Sequence, residues 1–84
     1  MATVSVTPEA QNDLAALPEP IIARVQRILV RLKDRPHVSG AKPLRGALKG
    51  HWRMRTGDYR VQFHVAGETV IVERIGHRDG FYDD

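Results

Sequence analysis

Arginine stands at positions 53, 55 and 60, and His77, Arg78 and Tyr82 follow downstream. Arginine stays charged at any physiological pH and offers planar paired donors, so a cluster of arginines is a receptor for phosphate. Cleavage of an RNA backbone by its own 2′-oxygen needs three things: a base for the 2′ proton, an acid for the departing 5′-oxygen, and positive charge around the phosphorane. Arg53, Arg60 and Arg78 suit the third requirement. Histidine is the side chain that exchanges protons near neutrality, which makes His77 a candidate acid or base, and a tyrosine among arginines, as at Tyr82, ionises more easily or stacks on a base. The catalytic candidates are therefore Arg53, Arg60, Arg78, Tyr82 and His77. Lys42, Arg45, Lys49, His51 and Arg55 are candidates for RNA contact. A solvated basic surface with splayed arginines fits the same residues.

Other chemistries lack their parts. There is no Walker loop, no GxGxxG, no cysteine, and no His-x-x-x-His spacing or carboxylate cluster suited to a metal. No cofactor and no metal are expected. Net charge is only +3, but its distribution is uneven. Eleven Lys or Arg lie between Ile21 and Arg60 against two Asp, whereas residues 79 to 84 are acidic. A basic middle of this density points to a polyanionic partner, either nucleic acid or an acidic protein. Eighty-four residues suffice for one domain with one small core, expected over 1–84. The absence of cysteine fits a reducing compartment, and no apolar run approaches a membrane span, so a cytoplasmic protein without membrane contact is expected.

The elements that must position these groups follow from periodicity. Thr3 to Thr7 alternates as a short strand and stops at Pro8. Thr7 is placed as an N-cap with Pro8 in the first turn, which predicts a helix to about Leu17. Pro18 and Pro20 break that helix and start a second. There Ile21, Ile22, Val25, Ile28, Leu29 and Leu32 recur at the helical period, with Arg24, Arg27 and Arg31 on the opposite side. The second helix is expected to end near Asp34, since Pro36 disfavours helix before it. Residues 36 to 50 are rich in glycine and proline and read as a connecting loop. Three strands then follow: His51 to Arg55, Tyr59 to Val65 and Thr69 to Ile75. The expected fold is α+β, a two-helix hairpin on a small antiparallel sheet in the order β-α-α-β-β-β.

Alternation sorts the side chains into two faces. Trp52, Met54, Tyr59, Val61, Phe63 and Val65 are expected to face the helices; His51, Arg53, Arg55, Arg60, Gln62 and His64 face away. A two-residue turn at Gly57-Asp58 pairs Arg55 with Arg60, Arg53 with Gln62, and His51 with His64. Facing arginines repel at roughly 0.2 to 1 kcal/mol, which an anionic ligand would offset. If the last strand ran straight, Ile71, Glu73, Ile75 and His77 would share one side, and His77 would join Arg60.

The stretches Lys42-Pro43-Leu44-Arg45-Gly46, Gly57-Asp58-Tyr59-Arg60-Val61 and Gly76-His77-Arg78, followed by a tyrosine, are similar in order and spacing to the recurring motifs of the RelE/ParE superfamily. The resemblance covers almost the whole chain. It implies a toxin of a type II toxin-antitoxin pair that cleaves mRNA in the ribosomal A site, in contact with ribosomal RNA, and is neutralised by a cognate antitoxin. Arg60 matches the arginine of the Gly-x-Tyr-Arg motif, Arg78 the arginine after the final strand, and Tyr82 the C-terminal tyrosine. Arg53 and His51 stand where RelE has lysines. Asp79-Gly80 and the ending Asp83-Asp84 depart from the basic tails of that branch. Two other readings share the fold: a ParE-like inhibitor of DNA gyrase, and a catalytically weak module that only binds its antitoxin.

Overall fold

In a computed structural model, which describes residues 2–34 and 40–81, two helices pack on one face of a five-stranded sheet. The elements are β1 (Thr3–Val6), α1 (Pro8–Ala15), α2 (Glu19–Arg31), β2 (Lys42–Pro43), β3 (His51–Thr56), β4 (Tyr59–Ala66) and β5 (Thr69–His77). Their order in the sheet is β1-β5-β4-β3-β2. The expected antiparallel meander is present, and β1 joins it in parallel along β5, with Thr3 opposite Thr69. The sheet is therefore mixed. Within the expected connecting loop, Lys42 and Pro43 form a short strand against Arg53 and Trp52, and a single 3-10 turn spans Gly46–Leu48.

Helix α1 starts as its residue types dictate: Thr7 is extended, Pro8 needs no amide partner in the first turn, and Thr7 Oγ1 accepts from the Ala10 N–H at 3.1 Å. It ends at Ala15, two residues before Leu17. Replacing Thr7 with Ala leaves that amide uncapped, and is expected to cost about 1 kcal/mol, lowering Tm by roughly 4–8 °C. Thr7→Ser should melt with the wild type; a Thr7→Ala protein that does the same would show that the cap contributes nothing.

The long amphipathic helix buries Val25 and Ile28, and Leu32 in the following 3-10 turn, against Met54, Val61, Phe63, Val70, Val72 and Ile75. Ala10 supplies the contact from α1. Trp52, expected to face the helices, is 37% exposed on the strand that borders β2. Among the described residues no helix is long and apolar enough to cross a membrane.

One irregularity decides what the other face of the sheet carries. Gln62 pairs with Arg74 and Phe63 with Val72, so Glu73 is an extra residue in β5, a β-bulge. A bulge shifts side-chain parity by one position. Glu73 and Arg74 both project from the face opposite the helices, while Ile75 returns to the core and its N–H donates to Asp13 Oδ2 of α1 at 3.0 Å. The straight-strand projection is thereby corrected. His77 lies opposite Tyr59, with ring centroids 5.3 Å apart, on the side of the sheet away from Arg60.

Candidate functional site

The β3–β4 hairpin has the register that alternation predicts. Gly57 adopts φ +58°, a left-handed conformation that glycine takes without a Cβ penalty, and the tight turn sets Arg55 opposite Arg60, Arg53 opposite Gln62 and His51 opposite His64. Lys42 on β2 pairs with Arg53, which adds a fourth cation to the same face. Lys42, Arg53, Arg55 and Arg60 line a groove of about 400 Å³, together with Gly40 and Met54. Among the described residues no carboxylate bridges Arg55 or Arg60. Instead, Arg60 Nη1 donates to the carbonyls of Gly57 at 3.0 Å and Tyr59 at 3.1 Å, which holds its guanidinium at the turn.

Arg53 points away from the helices, as alternation predicts, but it is not solvated. It is only 4% exposed, and its Nη2 donates to Gln62 Oε1 at 3.0 Å. The cover is Phe81, a residue that strand alternation gives no reason to select. Its ring lies 5.0 Å from the Arg53 guanidinium and 4.1 Å from that of Arg74, and a Cβ on Gly76 would approach it to 3.4 Å. Arg74 Nη2 also donates to the Gly80 carbonyl at 2.6 Å, which ties down the segment that carries Phe81. Phe81 and Arg74 thus fix the Arg53 guanidinium beside the groove by cation–π contact and burial.

Arg78 reaches the same hairpin turn from β5. Its N–H donates to the Asp58 carbonyl at 2.7 Å, and its Nη1 lies 3.9 Å from Asp58 Oδ1. Arg60 and Arg78 are therefore both anchored at Gly57-Asp58. His77 is not part of this group: besides Tyr59 it meets the Asp79 N–H, which donates to its Nδ1 at 3.2 Å. Arg45 and Lys49 flank the 3-10 turn of the loop and are exposed. Tyr82 lies outside the described residues.

His51 belongs to a second cluster on this face. Its Nδ1 is 2.5 Å from Glu73 Oε2, His64 Nδ1 is 2.9 Å from Glu73 Oε1, and Gln62 Nε2 donates to Oε2 at 3.2 Å. Burial raises the Glu73 pKa. The hydrogen bonds of His51, Gln62 and His64, with the charge of His51, lower it by more, so the carboxyl titrates below the ordinary glutamate range. Gln62 links this cluster to Arg53. Sequence spacing conceals the trio because its members come from three strands.

Comparison with known proteins agrees with this architecture. Residues 4–80 match the family described as the ParE toxin of the type II toxin-antitoxin system parDE. Toxin RelG of Mycobacterium tuberculosis is 35% identical over 82 residues, covering 95% of this chain and 94% of its own. Toxin RelE of the same organism is 43% identical over 82 residues, covering 94% and 84%. The fold superposes on the M. tuberculosis toxin-antitoxin complex RelBE2 with a TM-score of 0.80 and 34% identity, over 92% of this chain and 98% of that one. With the motifs, the meander and the cationic hairpin in their expected places, this chain belongs to the RelE/ParE superfamily of type II toxin-antitoxin toxins.

Proposed function

We propose that this toxin is a cytoplasmic, metal-independent endoribonuclease that cleaves mRNA on the ribosome. The observation that carries the reading is the groove itself: Arg53, Arg55 and Arg60 of the hairpin and Lys42 of β2 converge on it, with two arginines directly opposed. Such an arrangement is costly without an anion, and matches the charge of a scissile phosphate. In the proposed reaction the 2′-oxygen attacks phosphorus and the P–O5′ bond breaks, leaving a 2′,3′-cyclic phosphate and a 5′-hydroxyl. Arg53 and Arg60 stabilise the phosphorane and Arg78 approaches from the turn; Tyr82 takes the 2′ proton, and water supplies a proton to the departing 5′-oxygen. Lys42, Arg45, Lys49 and Arg55 hold the flanking RNA. Because the bulge turns His77 to the other side, His77 has no role in this scheme.

The name of the matching family favours a second reading, inhibition of DNA gyrase. Primer extension on a reporter mRNA after induction, run beside a gyrase supercoiling assay, separates the two. Cuts within codons with normal supercoiling are expected. Intact mRNA with inhibited supercoiling would transfer the assignment to gyrase, and neither effect would leave an antitoxin-binding module.

The RelBE2 neighbour is a toxin held by its antitoxin, and the same kind of partner is proposed here. Cations run along α2 and the hairpin, and Val30 is an exposed apolar residue among them, 62% accessible. An antitoxin segment with acidic and apolar residues suits this surface. Its Kd should rise at least several-fold between low and high salt, as screening shortens the reach of surface charge. A salt-independent Kd, measured by calorimetry, would remove charge from the recognition.

A further inference from the structure

We propose that His51, His64 and Glu73 form a binding site for one divalent transition-metal ion of the zinc type, at the end of the sheet face beyond the arginine groove. Three features carry it. The donors are two imidazoles and a carboxylate, the borderline set that selects Zn²⁺ and its neighbours over Mg²⁺ or Ca²⁺. They stand on the adjacent strands β3, β4 and β5, and one ligand atom from each lies within 4.8 Å of the others. In a tetrahedral zinc site neighbouring donors are about 3.3 Å apart. The present contacts of 2.5 and 2.9 Å, one to each carboxylate oxygen, would open by less than about 1 Å, and the other donor pairs, all within 4.8 Å, would close by at most about 1.5 Å to admit the ion.

The surroundings suit a ligand shell. Gln62 Nε2 holds Glu73 Oε2 at 3.2 Å and is itself fixed by Arg53, an outer support that orients the carboxylate. The three side chains are between 20% and 34% exposed, so the ion can reach them and water can complete the coordination. Each neutral ring that coordinates through Nδ1 carries its proton on Nε2. Alternation from Ile71, which pairs with His64, puts Glu73 on this face, and the bulge adds Arg74 beside it. A bound ion would clamp the three central strands together and place two positive charges next to Gln62, hence beside Arg53.

The test uses the full chain without a histidine tag, stripped with chelator and titrated with ZnCl2 against a chromophoric competitor. One equivalent should bind, Tm should rise with zinc concentration, and only the His51 and His64 ring signals should shift in NMR. His64→Ala and Glu73→Gln should each weaken binding at least tenfold, and Gln62→Ala by a smaller factor, with the far-ultraviolet spectrum of each apo variant reporting that it is folded. MgCl2 should produce none of these effects. Absence of zinc binding, unchanged affinity in a folded His64→Ala or Glu73→Gln protein, equal binding of Mg²⁺, or shifts confined to His37 and His77 would each overturn the site. None of these readouts involves RNA cleavage, so failure here leaves the ribonuclease reading standing, and the reverse holds.

Discussion

If the proposed reaction holds, replacing Arg60 with Ala is expected to slow single-turnover mRNA cleavage on programmed ribosomes by about a hundredfold or more, because in that reaction it removes one donor to a transition-state oxyanion. The fold should barely register the change. Two hydrogen bonds from Nη1 to the Gly57 and Tyr59 carbonyls are lost, but water can replace them at this partly exposed turn. The repulsion from Arg55 across the hairpin disappears at the same time. These effects oppose one another at about 1 kcal/mol each, so Tm should move by less than roughly 8 °C. An Arg60→Ala protein that cleaves at the wild-type rate would take Arg60 out of the site. One that melts far below wild type would give Arg60 a structural role instead.

A larger effect on stability should come from Phe81→Ala. The ring is 4% exposed, covers Arg53 and Arg74, and approaches the Gly76 backbone. Truncating a buried Phe costs about 3–5 kcal/mol, and this position on the outer face belongs at the lower end, so Tm should fall by roughly 12–24 °C. Phe81→Leu keeps the apolar cover and gives up the cation–π contacts, worth about 1 kcal/mol. Cleavage should suffer even where the protein is folded, since Arg53 loses the cover that fixes its guanidinium. Thermal melts of the three proteins, followed by cleavage assays well below the lowest Tm, check both parts. A Phe81→Ala protein within about 3 °C of wild type would show that the ring is not a structural cover.

Local rules went far in this chain, and their failures share one cause. The helical face of α2 follows from its apolar period, and the pairing of Arg55 with Arg60 follows from a two-residue turn and strict alternation, because both depend on near neighbours. The bulge at Glu73 has no such signature, as neither glycine nor proline marks it. It exists where β4 must meet β5 while Ile75 fills the core and donates to Asp13, a residue 62 positions earlier. That one insertion moved His77 off the expected side and set Glu73 beside Arg74. Phe81 was equally out of reach. Its burial depends on Arg53 and Arg74 meeting across the sheet, and the period of any one strand is silent about that. The Lys42–Pro43 strand was hidden by the same proline and glycine content that correctly marked its neighbourhood as a connection.

The parallel pairing of β1 with β5 also sets the order in which this molecule can assemble during its own synthesis. Among the described residues the earliest strand, β1, pairs only with the latest, β5, and β5 lies between β1 and β4. Until Thr69–His77 have left the ribosome, β1 has nothing to pair with, α1 lacks Ile75 for its Asp13, and β4 has an open edge. Contacts of such sequence separation form late and slowly. Until β5 and the segment after it have been made, β4 keeps an open edge and Phe81 is absent from its place over Arg53, so the cationic face is completed late.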